Sequence, residues 1–221
     1  MKRNSVSEIN GINLVSENDI NILSVGISTA GNAEIEMARK NPKCHITATT
    51  IDEKGIELIK KEVIKQGLED RIELKIEDIS EKLEYNDNYF DYVYARLVLH
   101  YLDNDRLKKA LSEIYRVLKN NGKLYVVVRS INAWEARLDG SSYDEKTGLT
   151  KHPDLRTYGT DNVKYCYRRL HSKESIKDFL EEARFKVEYV KVYDEYLSVD
   201  YSRRELNDKP SELIEVLATK K

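Results

Sequence analysis

The stretch INILSVGISTAGNAEIEMARK, residues 20–40, decides the fold. Its apolar first part, Ile20 to Val25, predicts a buried parallel strand, and Asn32 to Lys40 predicts the helix that follows. Gly26 and Gly31 bracket the turn between them, where glycine permits a tight exit from the strand and close packing at the helix start. Ligands of doubly wound sheets bind at such turns, so a cofactor is expected here. A purely structural turn is the alternative, because glycine turns after strands are common.

The alternation of strand and helix continues beyond this unit. Short apolar or β-branched runs predict further strands, and apolar residues spaced by three and four predict helices. The predicted strands are 44–50, 71–76, 89–95 and 123–128, and the predicted helices are 54–66 and 105–119. This order predicts the α/β class, with a Rossmann-like, doubly wound parallel sheet, right-handed crossovers and helices on both faces.

The regular pattern then stops. Residues 130–171 have no clean period and contain several glycines, so they are predicted to form an irregular insertion that covers a substrate, within a single domain of residues 1–221. Regularity returns at Ser172, a predicted N-cap, and two last strands are predicted at 186–192 and 213–219. The connection between them is too short for a parallel crossover. They should therefore pair antiparallel and bring the sheet to about seven strands.

Composition narrows the class of protein. The chain has 221 residues, 40% of them hydrophobic and 34% charged, which fits one soluble domain. A net charge of −2 and a pI near 6.2 give no broad basic field, which argues against a nucleic-acid partner. The polar N-terminus and the lack of a bilayer-length apolar run predict an unanchored cytoplasmic protein with no membrane partner. The sequence is compatible with a homodimer.

Cysteine and histidine usage leads to two further expectations. Cys44 and Cys166 are far apart and lack CxxC spacing, so both are expected to be free thiols in a reduced compartment. The four histidines form no HxxxH motif and no cluster with cysteine, so no metal site is predicted.

Acidic residues follow two of the predicted strands. Asp52 lies just past the second strand, where carboxylates commonly hold ribose hydroxyls. Asp78 follows the third strand, where a carboxylate can accept a hydrogen bond from an adenine amine. The helix that starts at Asn32 also offers free backbone N–H groups to a ligand carboxylate or ribose. These positions are typical of a cofactor that contains a nucleoside.

Two later segments carry a resemblance to a known family. The segments DNYFDYVYARLVLHYL, residues 87–102, and EIYRVLKNNGKLYVVV, residues 113–128, resemble class I S-adenosylmethionine-dependent methyltransferases when taken with the first strand. The resemblance extends from Ile20 to about Val128. It implies a methyltransferase fold, an enzyme that transfers a methyl group, and S-adenosyl-L-methionine as its cofactor.

The resemblance also implies a set of cofactor contacts. The implied cofactor-binding residues are Gly26, Ser28, Gly31, Thr50, Asp52, Asp78, Ile79, Arg96 and Leu97. The turn residues would line the methionine part, and Arg96 and Leu97 would flank the methionine and the transferred methyl. Asp78 would meet the adenine amine, with Ile79 packed near the ring.

The first turn departs from the family's usual pattern. Ser24 stands where an acidic residue is usual, and Ser28 stands where a glycine is usual. One residue is inserted before Gly31. Counting back from the second helix places Thr50, rather than Asp52, at the usual acidic position, so both remain candidates for the ribose contact.

The expected reaction needs few dedicated catalytic groups. Methyl transfer from a sulfonium is an in-line displacement that depends mostly on positioning. We expect the acceptor to be an oxygen or nitrogen nucleophile of a small molecule enclosed by the insertion. His100, just after the fourth strand, is the candidate base. The alternative for His100 is a packing histidine that caps the following turn.

Aromatic and basic residues are frequent in and near the insertion. Fifteen tyrosines occur beside three phenylalanines. An aromatic wall could stack on a substrate, and an arginine could hold its carboxylate or phosphate. The alternative is half-exposed packing of a lid. The candidate substrate residues are Arg129, Trp134, Tyr143, Tyr158 and Tyr165, and further arginines lie at 137, 156, 168 and 169.

Two other functions stay open at this point. A methyltransferase-like binding protein that has lost catalysis would account for Ser24 and Ser28. A methyltransferase that acts on RNA or protein is the second, although the acidic pI argues against it. A nicotinamide-dependent dehydrogenase fits less well, because the first turn lacks a full GxGxxG.

Overall fold

The structure, a computed structural model, describes residues 5–28, 30–198 and 206–221. The strands in these ranges are β1 (Asn21–Val25), β2 (His45–Thr50), β3 (Ile72–Ile76), β4 (Phe90–Arg96), β5 (Leu118–Arg129), β6 (Ser142–Asp144), β7 (Leu149–Pro153), β8 (Tyr165–Arg168), β9 (Phe185–Glu195) and β10 (Ser211–Lys220). The α-helices are α1 (Val6–Asn13), α2 (Asn32–Lys40), α3 (Glu53–Lys65), α4 (Asn104–Val117) and α5 (Lys173–Glu182).

Seven of the strands form one mixed sheet in the order β3-β2-β1-β4-β5-β10-β9. Strands β1 to β5 pair parallel, whereas β10 pairs antiparallel with both β5 and β9. The predicted fold class is therefore confirmed, including the antiparallel last strands. The order reverses between β1 and β4, which places the expected ligand crevice at the carboxyl ends of those two strands.

The helices lie on both faces of this sheet, as predicted. Successive strand residues point to opposite faces, so the neighbours Ile22 and Leu23 belong to two different apolar clusters. The cluster around Leu23 and Val93 packs against α4 and α5. The cluster around Ile22 and Tyr92 packs against α1, α2 and α3. These two layers fix the carboxyl ends of the central strands in place.

Local signals in the sequence account for the ends of several helices. Ser172 is the N-cap of α5, as predicted, and its hydroxyl accepts a hydrogen bond from the Ser175 N–H at 3.1 Å. Asp103 caps α4 in the same way. Gly67, which follows α3, has a φ of 65°, the left-handed conformation that a C-terminal glycine permits.

Two expectations about secondary structure were wrong, and one helix was not predicted. The insertion, residues 130–171, is not irregular: β6, β7 and β8 form an antiparallel sheet in it, preceded by a 3-10 turn at Trp134–Arg137. These strands are three to five residues long and β6 is exposed throughout, so no apolar period marks them. The N-terminal stretch contains α1, whose buried face includes Ser7 and Glu8 instead of an apolar stripe. Strand β5 begins at Leu118, earlier than predicted, and Asn121 within it has a φ of 64°.

A buried polar network fastens α1 to the sheet. Glu215, on β10, accepts hydrogen bonds from Asn10 at 2.8 Å, Tyr189 at 2.9 Å and Tyr193 at 2.6 Å. The Tyr125 hydroxyl lies 3.0 Å from the same carboxylate. We call these five residues the Glu215 network. Each of its polar groups has a partner from another element, so the protein alone satisfies it.

The remaining predictions about cysteine and membrane segments can also be compared with the structure. Cys44 and Cys166 are free thiols, as expected. No helix among the described residues has the length and apolar character that crossing a bilayer requires.

Candidate active site

The turn between β1 and α2 lies at the carboxyl edge of the sheet. Gly26 has a φ of 73°, and a Cβ atom there would lie 2.6 Å from Cγ2 of Val98, so only glycine fits. Gly31, the N-cap of α2, has a φ of 57° and supplies no side-chain cap. The first N–H groups of α2 are therefore left without a capping side chain, as an anion-binding turn requires. Thr29 lies outside the described residues.

A carboxylate reaches this turn from a position that the sequence analysis missed. The Ser24 hydroxyl donates to Oε1 of Glu34 at 2.5 Å, and both side chains are buried. Glu34 belongs to the first turn of α2. It brings an acidic group beside position 24, where the resembling family usually has one. The sequence offered one signal for this contact. Glu34 lies four positions before Ala38, so both residues lie on the same, buried face of α2.

The two ribose candidates lie together at the carboxyl end of β2. Thr50 is buried, and its hydroxyl accepts a hydrogen bond from the Asp52 N–H at 3.0 Å. Asp52 is exposed and is the N-cap of α3, with Oδ1 accepting from the Lys54 N–H at 3.1 Å. The carboxylate of Asp52 thus has a structural role that is independent of any ligand.

Asp78 follows β3 at the same edge of the sheet. Its Oδ1 accepts from the Ser80 N–H at 2.9 Å and the Ser80 hydroxyl at 2.7 Å, and its Oδ2 accepts from Arg106 at 2.7 Å. Burial raises the pKa of this carboxyl, but the hydrogen bonds and the Arg106 charge outweigh burial and lower the pKa below its usual value. Asp78 is therefore an ionised acceptor, and the neighbouring Ile79 is buried in the core.

Arg96 and Leu97 lie at the end of β4 and differ in what they contact. The Arg96 guanidinium donates to Ser5 and Ser7 at 2.7 Å each and to Glu195 at 2.8 Å. It therefore anchors α1 and the end of β9 above β4. Leu97 has a φ of 54°, a left-handed conformation that costs a leucine about 1 kcal/mol or more. Backbone strain of this kind is typical of functional sites, so it supports a role for this position.

A second group of polar side chains lies beneath the insertion, at the ends of β4 and β5. The segment that follows β8 runs between these ends: the Arg169 N–H donates to the His100 carbonyl at 2.7 Å, and the His171 N–H donates to the Arg129 carbonyl at 3.0 Å. Backbone bonds thus bring together residues that are far apart in sequence. We call the resulting group the buried basic cluster; it comprises His100, Arg129, Glu135, His152, Arg168 and His171.

The hydrogen bonds within the buried basic cluster fix part of its charge. Arg129 donates to the Glu135 carboxylate and, at 3.2 Å, to the Ser211 hydroxyl. Arg168 lies 2.8 Å from Nε2 of His152, whose Nδ1 lies 3.0 Å from the Pro153 carbonyl. Because arginine can only donate, Nε2 of His152 accepts and its Nδ1 carries the proton, which makes this histidine neutral.

Burial keeps the other two histidines of the cluster neutral as well. Burial, reinforced by the charges of Arg168 and Arg129, holds the pKa of His100 well below its usual value. Burial and the Arg169 charge lower the pKa of His171 to about 3. At pH 7 the charges of the cluster are therefore those of Arg129, Arg168 and Glu135.

Several enclosed polar atoms in this region have no hydrogen-bond partner among the described residues. They are both ring nitrogens of His100, Nε of Arg129, Nε1 of Trp134, Oε2 of Glu135, Nε of Arg168 and Nε2 of His171. Native structures leave few such atoms unpaired, and each costs about 1–3 kcal/mol. Their concentration under the insertion is what a binding site for a polar ligand would show.

The structure unites some of the predicted substrate residues and separates others. Arg129 and Trp134 lie at the buried basic cluster, together with the candidate base His100. Tyr143, Tyr158 and Tyr165 have exposed fractions of 63%, 43% and 41% and lie on the outer surface of the insertion, so they form no wall over the cluster. The Tyr101 ring lies beside one of these charges, with its centroid 5.6 Å from Cζ of Arg168. In the described part of the chain, no group of three or more potential ligands could hold a metal ion.

Comparison with known proteins agrees with this arrangement. Residues 23–126 match a family model described as a methyltransferase domain. A demethylmenaquinone methyltransferase of Leptospira interrogans is 30% identical over 94 residues, which cover 42% of this chain but only 37% of that relative. The match thus spans little more than a third of that relative's length.

Solved structures share the fold over almost the whole chain. A SAM-dependent methyltransferase from Methanosarcina mazei has a TM-score of 0.73 at 21% identity, covering 94% of this chain and 95% of its own. The [4+2]-cyclase SpnF has a TM-score of 0.64 at 20% identity, covering 97% of this chain and 79% of its own. At these identities the likeness establishes the fold.

Proposed function

We propose that this protein, whose residues 23–126 match the methyltransferase domain model, is an enzyme that transfers a methyl group from S-adenosyl-L-methionine to a small-molecule acceptor. The observation that carries the proposal is the turn at residues 26–31. It leaves the amino end of α2 without a side-chain cap at the point where the strand order reverses. Such a point is where doubly wound sheets bind nucleoside-containing ligands.

The residues at the carboxyl edge fit such a cofactor. The first N–H groups of α2 would hold its carboxylate, and Thr50 or Asp52 would hold its ribose. The ionised Asp78 would accept from the adenine amine, with Ile79 beside the ring. Glu34 supplies the acidic group that Ser24 lacks, so the departure at position 24 does not remove a carboxylate from the turn.

The protein's own contribution to the reaction is then mainly positioning. When bound, the cofactor supplies an activated methyl group, so the chain must orient the acceptor and exclude water. The insertion encloses the ends of β4 and β5 and would perform both tasks. His100 is neutral there and can accept a hydrogen bond from the nucleophile. Its lowered pKa makes it a weak base, suited to an acceptor that loses its proton easily.

Isothermal titration with S-adenosylmethionine and S-adenosylhomocysteine tests the cofactor. We expect dissociation constants of about 1–100 μM, and no heat of binding at about 1 mM for either compound would refute the proposal. Asp52→Ser retains an N-cap but shortens the side chain, and Thr50→Val removes the hydroxyl. The variant that lowers affinity about tenfold or more identifies the ribose contact, with the exposed Asp161→Ser as control.

A second candidate function, a binding protein without methyl transfer, is favoured by Ser28, which stands in the turn where the resembling family usually has a glycine. Incubation with methyl-labelled S-adenosylmethionine and a fractionated cell extract separates the two. Label in the small-molecule fraction supports the enzyme proposed here. Label in RNA or protein alone would assign a macromolecular acceptor. Cofactor binding without label in any fraction would support the binding protein.

A further inference from the structure

The charges of the buried basic cluster do not balance. Arg129 is paired with Glu135, the one carboxylate of the cluster. Arg168 has no ion-pair partner among the described residues, and its guanidinium donates to the neutral His152. Asp154 is influenced by the charge of Arg168, but it accepts hydrogen bonds from the backbone and guanidinium of Arg156. Among the described residues, the positive charge of the half-buried Arg168 is therefore left without a counterion.

The same place has an excess of unpaired donors. Nε of Arg129, Nε of Arg168 and Nε1 of Trp134 are all enclosed, and none has an acceptor in the part of the chain that the structure describes. A buried charge is tolerated when an opposite charge and hydrogen bonds compensate its loss of hydration. The three histidines are neutral and supply no opposite charge, although His152 accepts a hydrogen bond from Arg168. The missing group is therefore an anion that accepts several hydrogen bonds.

The size of the imbalance and the shape of the donors specify the anion. A guanidinium matches a carboxylate through parallel N–H groups. A single unmatched charge calls for a monoanion, whereas a phosphate dianion would leave an excess negative charge. On the basis of the proposed function, we infer that the small-molecule substrate carries one carboxylate, which binds between the guanidinium groups of Arg129 and Arg168.

The position of this carboxylate site is compatible with methyl transfer. His100 follows the end of β4, Arg129 is the last residue of β5, and Val98 contacts the turn at Gly26. A substrate held by its carboxylate would therefore have its remaining atoms beside that turn. The unpaired atoms are fully enclosed, so β6, β7 and β8 must move for the substrate to enter.

Acetate is the probe for the carboxylate site. The unfolding midpoint of the wild-type protein is measured in sodium acetate, sodium chloride, acetamide and sodium phosphate, with the ionic strength of the salts matched. We expect acetate to raise the midpoint by a few degrees relative to chloride, and neither acetamide nor phosphate to do so. Arg168→Met should abolish the acetate shift, and Arg137→Met, an exposed arginine of the same insertion, should retain it.

Arg168→Lys keeps the positive charge but loses the parallel donors, and it replaces the methionine variant if that variant fails to fold. We expect Arg168→Lys to lose at least half of the acetate-induced rise in the unfolding midpoint. Equal midpoints in acetate and chloride for the wild type, a larger shift in phosphate, or an unchanged acetate shift in both Arg168 variants would overturn the inference. Titration of the same samples with S-adenosylhomocysteine separates the two proposals. Cofactor binding without an acetate shift refutes only the carboxylate site, whereas an acetate shift without cofactor binding refutes only the proposed function.

Discussion

The Glu215 network and the buried basic cluster are both enclosed and both polar, yet only one of them is complete. Glu215 has four neighbouring donors from α1 and the sheet, and burial, which would raise its pKa, is outweighed by these hydrogen bonds, so that the pKa is lowered. The buried basic cluster leaves several atoms and one charge unpaired. The chain can evidently satisfy a buried ionised group. The incomplete cluster is therefore a local property of the space beneath the insertion.

The largest expected effect comes from removing the centre of the complete network. Glu215→Leu leaves Asn10, Tyr189 and Tyr193 without their acceptor, so we expect the free energy of unfolding to fall by about 3–5 kcal/mol. Urea-induced unfolding measures it. Glu188→Gln, on the exposed side of β9, is the control and should leave the free energy of unfolding nearly unchanged. Similar losses for both variants would contradict the role of the network.

A smaller loss of stability is expected from breaking the ion pair between Arg96 at the end of β4 and Glu195 at the end of β9. Arg96→Met leaves the buried Glu195 carboxylate with the Ser7 N–H and hydroxyl as its remaining partners among the described residues, and should cost about 2–4 kcal/mol. The side chains of this pair are 12% and 4% exposed, whereas those of Arg106 and Asp78 are 44% and 34% exposed. Arg106→Met should therefore cost less than about 1 kcal/mol. Urea-induced unfolding measures both losses. A larger loss of stability for Arg106→Met than for Arg96→Met would contradict this comparison.

The buried basic cluster should make stability depend on pH. The unfolded chain binds a proton at His171 near pH 6.5, whereas the folded protein does so only at about pH 3. Acid therefore favours unfolding between these values, with a slope of about 1.4 kcal/mol per pH unit for this histidine. Stability curves at pH 7 and pH 5 should show a smaller loss for His171→Asn than for the wild type. His45→Asn, at an exposed histidine, should keep the full loss; equal losses in all three proteins would show that His171 does not contribute.

The smallest effect on stability is expected at the residue with the unmatched charge. Arg168→Met removes a cation that no carboxylate of the described chain neutralises, so the free energy of unfolding should stay within about 1 kcal/mol of the wild type or rise. The measurement is again urea-induced unfolding, in the absence of carboxylate buffers. A loss above about 3 kcal/mol would mean that Arg168 is already satisfied and that the two regions do not differ as described.

The sequence predicted the central sheet well because its strands and helices are long and apolar on one side. The runs from Ile22 to Val25 and from Leu124 to Val128 are buried in the observed sheet, and the stripe from Leu107 to Val117 lies in the core. The three strands of the insertion and α1 escaped prediction for the opposite reason. Their stability comes from hydrogen bonds and contacts with the sheet, which leave no periodic apolar signal.

The candidate site was predictable only in part. Motif positions such as Gly26 and Asp78 lie at the carboxyl edge because strand order places them there. The hydrogen bond between Ser24 and Glu34 was indicated only by the place of an acidic residue on the buried face of α2, which does not show that its side chain reaches the turn. The many tyrosines suggested an aromatic wall over the substrate, which the structure does not form. Tyr189 and Tyr193 donate hydrogen bonds to Glu215, and Tyr143 is exposed on the insertion.

The place of β10 in the sheet has a consequence for how the molecule is made. It is the last of the seven strands along the chain, yet it lies inside the sheet between β5 and β9. During synthesis on the ribosome, β5 and β9 therefore wait with unpaired N–H and C=O groups until β10 emerges. Nascent chains of this protein should be most prone to misassociation, and most in need of chaperones, during that interval.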